Sequence, residues 1–119
     1  MPWWYAQKTG VLIDPNGKAI ATGYSGRGFG RNNPAMEHKQ GEGPIPCATY
    51  RIGKPYDSDK VGPYALPLTT TEAIHGRSDF RIHGNNAAND ASRGCVIVPL
   101  NIRRKIWESG DRVFVVRPG

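Results

Sequence analysis

Glycine and proline set the tightest limit on the fold: the chain of 119 residues carries Gly 15 and Pro 10, about a fifth of its length. Both residues disfavour helix interiors, which argues against a helical bundle and favours short strands joined by many turns. Hydrophobic residues make up 38% of the chain, enough for a core. One domain of this size removes roughly 65% of its unfolded surface from water. The whole chain, 1–119, reads as a single domain. No apolar run of about 18 residues is present, so no membrane span is expected. The opening Met-Pro-Trp-Trp-Tyr-Ala-Gln-Lys has no basic start followed by an apolar stretch, so no signal peptide is expected either.

Turn signals divide the chain. Trp3–Ala6 is aromatic-rich and Val11–Ile13 apolar, and Asp14-Pro15-Asn16-Gly17 is a strong turn, so residues 18–24 complete a hairpin. A glycine-rich connection follows, and Asn33-Pro34 opens a short helix over 34–39. Residues 41–46 are irregular, 48–52 and 64–68 are strands, and 55–62 form a polar loop. In Asp79–His83, Phe80 and Ile82 share one face, while Asp79, Arg81 and His83 share the other. Gly94–Val98 reads as a buried strand, Leu100–Ser109 as a helix capped by Gly110, and 112–116 as a final strand. The fold class is mainly β with one or two short helices, the clear one at the C-terminus.

Charge invites a nucleic-acid reading, with Lys+Arg 16 against Asp+Glu 10 and a net charge of +6. The basic residues are scattered, however, and the only run is Arg103-Arg104-Lys105, which reads as the solvated face of the C-terminal helix. No nucleic-acid-binding motif accompanies it, and other polyanions, the carboxylate-rich bacterial cell wall among them, suit the same charge. The glycine-rich segment is out of register with G-x-G-x-x-G. His38, His75, His83, Cys47 and Cys95 have no metal-ligand spacing, so neither metal nor cofactor is called for.

Residues 76–98 carry the chemistry. His83 ends one expected strand and Cys95 begins the next, with a loop of small polar residues between them. Adjacent strands bring a thiol nucleophile within reach of its base. Gly94 leaves room for an acyl group, the backbone N–H groups of Gly94 and Cys95 can hold an oxyanion, and His83 with Arg93 lowers the thiol pKa. Asp79 is a candidate helper of His83, which a backbone carbonyl could equally orient. Ser92 and Arg77 are candidates for substrate contact or loop positioning. His75 is a rival base, 20 residues before Cys95, and Cys47 reads as structural. Against catalysis stands the reading of Cys95 as a small core hydrophobe.

The pattern apolar-His83-Gly84, a short loop, then Ser92-Arg93-Gly94-Cys95-apolar resembles the signature of the L,D-transpeptidases, the YkuD-like cysteine enzymes of peptidoglycan. Similarity to a small branch of that family, the type VI secretion effectors, extends over nearly the whole chain. It is carried by 23–26, 32–36, 43–46, 50–56, 62–64, Gly76-Arg77-Ser78 and 106–111. The wider family usually has His where Arg93 stands and Arg or Asn where Ile97 stands, and its His-to-Cys separation is longer.

The resemblance implies a YkuD-like β-sandwich or barrel without a cofactor. It implies Cys95 attacking a peptidoglycan stem peptide at its third residue, His83 moving the proton, and terminal D-Ala leaving by hydrolysis, exchange or cross-linking. Gly84, Ser92, Arg93, Arg77 and Ser78 then support the site or bind substrate. It also implies synthesis in the cytoplasm without a Sec signal, a secretion apparatus delivering the chain to a target periplasm, and a cognate immunity protein. The rival reading is a non-catalytic cell-wall binding module on the same fold.

Overall fold

The Asp14 carboxylate accepts hydrogen bonds from the N–H groups of Asn16 and Lys18, both at 2.9 Å, and Gly17 takes φ +85. That turn folds β2 (Val11–Ile13) onto β3 (Ala19–Thr22) as the sequence leads one to expect. The computed structural model describes residues 2–119. The expected strand over 18–24 is broken at Gly23. A Cβ there would stand 2.0 Å from the Ile97 carbonyl oxygen and 2.7 Å from Val98 Cγ1. The chain therefore leaves β3 and starts a separate strand, β4 (Tyr24–Ser25).

The remaining strands are β1 (Trp3–Ala6), β5 (Ala48–Ile52), β6 (Tyr56–Ser58), β7 (Gly62–Thr69), β8 (Phe80–His83), β9 (Val96–Ile97) and β10 (Val113–Arg117). They form one mixed sheet of ten strands, ordered β3-β2-β1-β10-β5-β7-β8-β9-β4, with β6 paired to β7. Two pairs are parallel, β1 with β10 and β8 with β9. The molecule is thus mainly β, consistent with a small sandwich or barrel. The loop expected over 55–62 contains the short strand β6, and the short helix expected over 34–39 is a 3-10 turn, Pro34–Met36, capped by the Asn33 side chain.

Helix α1 (Leu100–Glu108) ends at Ser109, with Gly110 at φ +80 beyond it. Its Ile102 and Ile106 join a core that includes Tyr50, Leu66, Phe80, Ile82 and Val96. In β8 the even-numbered residues enter this core, so the odd-numbered ones, Arg81 and His83, are left for the other face.

One helix residue breaks the expected pattern. Arg103 is not solvated; it is 4% exposed. Its guanidinium donates to the carbonyls of Pro63, Tyr64 and Val98. Leu100, expected on the apolar stripe, is 36% exposed instead. Three carbonyls at the β7 and β9 ends need donors, and a long side chain in the helix stripe supplies them.

Gly23→Ala is expected to lower stability by about 2–3 kcal/mol, because backbone must move to admit the new Cβ. Urea denaturation measures it, and an unchanged midpoint would contradict this packing.

Candidate functional site

The site is built around the turn that delivers Cys95 to β9. Ser92 is fully buried, and its hydroxyl is a three-way junction. It donates to the Cys95 carbonyl at 2.6 Å, and accepts the Gly26 N–H at 2.8 Å and the Gly94 N–H at 3.2 Å. Ser92 is therefore a positioning residue that ties the turn to the segment after β4.

Gly94 takes φ +128, a conformation that side chains rarely adopt. A Cβ there would lie 2.2 Å from Nη2 of Arg77. The space expected for an acyl group is thus filled by a guanidinium. The Gly94 N–H, expected in an oxyanion hole, is turned inward onto Ser92, which leaves the Cys95 amide as the member of that pair for such a role.

Arg77 is buried without a carboxylate partner. Its Nη1 donates to the carbonyls of Glu37 at 2.7 Å and Pro44 at 2.8 Å, and its Nη2 to those of Gly43 at 3.2 Å and Arg93 at 3.4 Å. Of the two roles open to it, loop positioning is the one these bonds describe. Glu37 extends the bracing: its carboxylate accepts from Gln7 Nε2 at 3.0 Å and from the Cys47 N–H at 2.6 Å, and pairs with His75 at 2.9 Å. Burial opposes its ionisation, yet the Cys47, His75 and Gln7 donors hold its carboxyl below the usual range. The Cys47 thiol is pushed up to about 12 by burial and by the Glu37 charge. It donates to Gln7 Oε1 at 3.5 Å, in keeping with a structural cysteine. His75 is engaged with this cluster and does not line the cleft that holds Cys95.

His83 ends β8, but the strand expected over 94–98 is only Val96–Ile97, so Cys95 stands in the bend just before β9, which pairs with β8 in parallel. The register places His83 opposite Ile97 and Ile82 opposite Val96, and continued one residue further it brings Arg81 beside Cys95. By the same continuation His83 is the diagonal neighbour of Cys95, with Cα atoms roughly 7–8 Å apart by ladder spacing. A parallel pairing requires the 84–95 connection to run back to the start of β8, and this offsets the two residues. They line one cleft of about 540 Å³ together with Arg77, Ser78, Arg81 and Arg93. Ser78 and Arg93 are exposed at it.

No hydrogen bond joins His83 to Cys95. The thiol donates weakly to the Asp79 carbonyl, 3.9 Å away. His83 Nδ1 meets the Gly84 carbonyl at 2.9 Å. Nδ1 must donate there, which leaves Nε2 as the acceptor of a proton. The orienting partner is a backbone carbonyl, and the Asp79 carboxylate takes no part. Gly84 serves twice, since a Cβ on it would lie 3.0 Å from Arg103 Nη1.

Burial pushes the Cys95 thiol up, against the Arg81 amide and the charges of Arg81 and Arg77; the Asp79 charge pushes it further. The expected depression by His83 and Arg93 does not appear, because the nearby cations that oppose the shift are Arg81 and Arg77 and burial outweighs them. His83 is pushed down by burial, then by Arg103 and Arg81, against the Gly84 bond. Near neutral pH the pair is a neutral thiol facing a neutral imidazole, an arrangement suited to general-base activation on substrate arrival.

Arg81 and Arg103 were not singled out by sequence. The signal for Arg103 was its place at i+1 to Ile102 and i−3 to Ile106, inside the apolar stripe; for Arg81 it was the alternation that set it beside His83. Among the described residues no group of three or more His, Cys, Asp or Glu could hold a metal.

This is a cysteine–histidine cleft on a small mixed-β domain. Residues 19–113, well over half of the chain, match the family model of the Tlde1 domain, and that stretch contains every residue lining the cleft. The chain belongs to the Tlde1-domain family, which is a family of type VI secretion effectors. No curated protein and no solved structure matches it. No helix among the described residues is long and apolar enough to cross a membrane.

Two outcomes are expected. Ser92→Ala strands two buried N–H groups and is expected to cost about 2–3 kcal/mol; chemical denaturation checks it, and a loss below about 0.5 kcal/mol contradicts the junction. The His83 ring, followed by NMR, is expected to titrate below the ordinary value of about 6.5. Because the folded state binds that proton less readily than the unfolded chain, His83 erodes stability as pH falls from about 6.5 toward its folded pKa. A midpoint at or above the ordinary value would contradict the burial and Arg103 effects.

Proposed function

We propose that the domain is an antibacterial L,D-transpeptidase and L,D-carboxypeptidase acting on peptidoglycan tetrapeptide stems. The observation that supports it is the shared cleft, lined both by Cys95, just before β9, and by the His83 imidazole at the end of β8, whose Nδ1 is held and whose Nε2 is left to accept a proton. Membership of an effector family supports the setting.

On substrate arrival His83 Nε2 takes the thiol proton as Sγ of Cys95 attacks the carbonyl of the third stem residue. The Cys95 N–H holds the developing oxyanion. The tetrahedral intermediate collapses, the C–N bond to D-Ala breaks, and the imidazolium returns its proton to the departing amine. The thioacyl-enzyme then passes to water, to a free D-amino acid or to another stem amine, with His83 again acting as base. Trimmed or exchanged donor stems deprive the target wall of cross-links. The site of action is the target-cell periplasm, reached through the secretion apparatus, with a cognate immunity protein protecting the producer.

Incubation with tetrapeptide muropeptides followed by mass spectrometry is expected to show D-Ala loss or exchange. Cys95→Ala should abolish it, and His83→Ala should slow it by about 10²–10⁴-fold. Undiminished processing by Cys95→Ala would contradict the mechanism, and a native chain that binds muropeptides without altering them would favour the binding-module reading.

A further inference from the structure

Three of the arginines around the site differ in what their guanidinium groups are doing. Arg77 is spent on four carbonyls and Arg103 on three. Arg81 is half-buried, yet among the described residues its side chain makes no hydrogen bond or ion pair. Asp79, expected on the same face, instead lies just before β8 with φ +62, which breaks the alternation; it is exposed and does not pair with Arg81. A guanidinium partly withdrawn from water without an acceptor is an unfavourable arrangement in the empty protein, and one that an incoming anion relieves.

Its position is equally specific. The β8–β9 register, continued one residue beyond the Ile82–Val96 pair, brings Arg81 beside Cys95, where its amide and its charge both reach the thiol, and His83 follows two residues later in β8. The segment from Arg77 to Arg81 lines both the cysteine cleft and an adjoining cavity of about 420 Å³. The other cations of the cleft, Lys60 and Arg93, are exposed.

We propose that Arg81 is the carboxylate anchor of the cleft: its planar fork binds the free carboxylate of the residue that leaves the attacked carbonyl. The inference rests on the acyl-transfer reading above for the identity of the substrate. In such a substrate the terminal carboxylate lies one residue beyond the scissile bond, so its receptor must stand beside the nucleophile. A bidentate guanidinium–carboxylate pair there selects substrates ending at that residue over amidated or extended ones. It also gives Arg81, rather than Arg77, the carboxylate contact, since the donors of Arg77 already have acceptors.

The test separates this inference from the reaction itself. Cys95 is alkylated with iodoacetate, which carries a carboxylate, and with neutral iodoacetamide, and labelling at Cys95 is resolved from Cys47 by peptide mapping. The rate ratio is referred to that of a small free thiol, so any change in thiol pKa cancels. Arg81→Gln is expected to lower the iodoacetate-to-iodoacetamide ratio about tenfold, as for loss of a charged hydrogen-bonded partner. Arg81→Lys should fall between, and all three chains should melt alike, because Arg81 holds no structural bond. An equal ratio in native and Arg81→Gln protein overturns the proposal. In a second arm, Arg81→Gln should raise KM for D-Ala release from the free-acid tetrapeptide about tenfold more than it does for the C-terminal amide, the loss on the amide being confined to the effect of the Arg81 charge on Cys95 and His83. An equal loss on acid and amide also overturns it. If the native chain releases no D-Ala, the acyl-transfer reading fails while the alkylation ratio still decides the anchor.

Discussion

The cleft hangs on one buried cation. The Arg77 guanidinium rests against Gly94 and draws together carbonyls from Glu37, Gly43, Pro44 and Arg93, three of which belong to the irregular segment before β5. That segment has no ladder of its own, so its buried backbone acceptors depend on side-chain donors. The Ser25 hydroxyl accepts the Ile45 N–H, and Gln7 Nε2 donates to the Ile45 carbonyl, so side chains distant in sequence add to the few backbone bonds, such as Arg27 N–H to the Glu42 carbonyl, that hold the segment. Losing the guanidinium would leave several acceptors dry and let the turn bearing Cys95 relax. Its positive charge also reaches Cys95, so one residue both braces the turn that bears the thiol and partly offsets the thiol's desolvation.

Burial governs the electrostatics of the pair. Enclosing a thiol and an imidazole favours their neutral forms, which moves the two pKa values apart from the ion-pair arrangement. Arg103 reinforces this from behind His83, and the Gly84 carbonyl fixes which nitrogen carries the proton.

Much of this was legible in the chain. Turn residues such as Asp14 and Gly17, the alternation through β8 and the capped C-terminal helix place their elements within a residue or two, because local chemistry decides them. That His83 and Cys95 would come to one cleft was legible from residue type and order. The parallel β8–β9 register was not, because the 84–95 connection carries no helix to mark a crossover. Nor was the inward turn of the Gly94 N–H, which depends on a hydroxyl two residues away meeting Gly26. Arg103 looked like surface charge, and Arg77 stood open between substrate contact and loop positioning, for a related reason: their acceptors are carbonyls on segments distant in sequence, invisible to any local pattern.

The most direct measurement is intact-protein and peptide mass spectrometry of the chain quenched in acid while it turns over a tetrapeptide stem. The account above requires an adduct on Cys95 with the mass of the stem less its terminal D-Ala, absent from Cys95→Ala. Release of D-Ala with no adduct at Cys95, or with an adduct elsewhere, would contradict it.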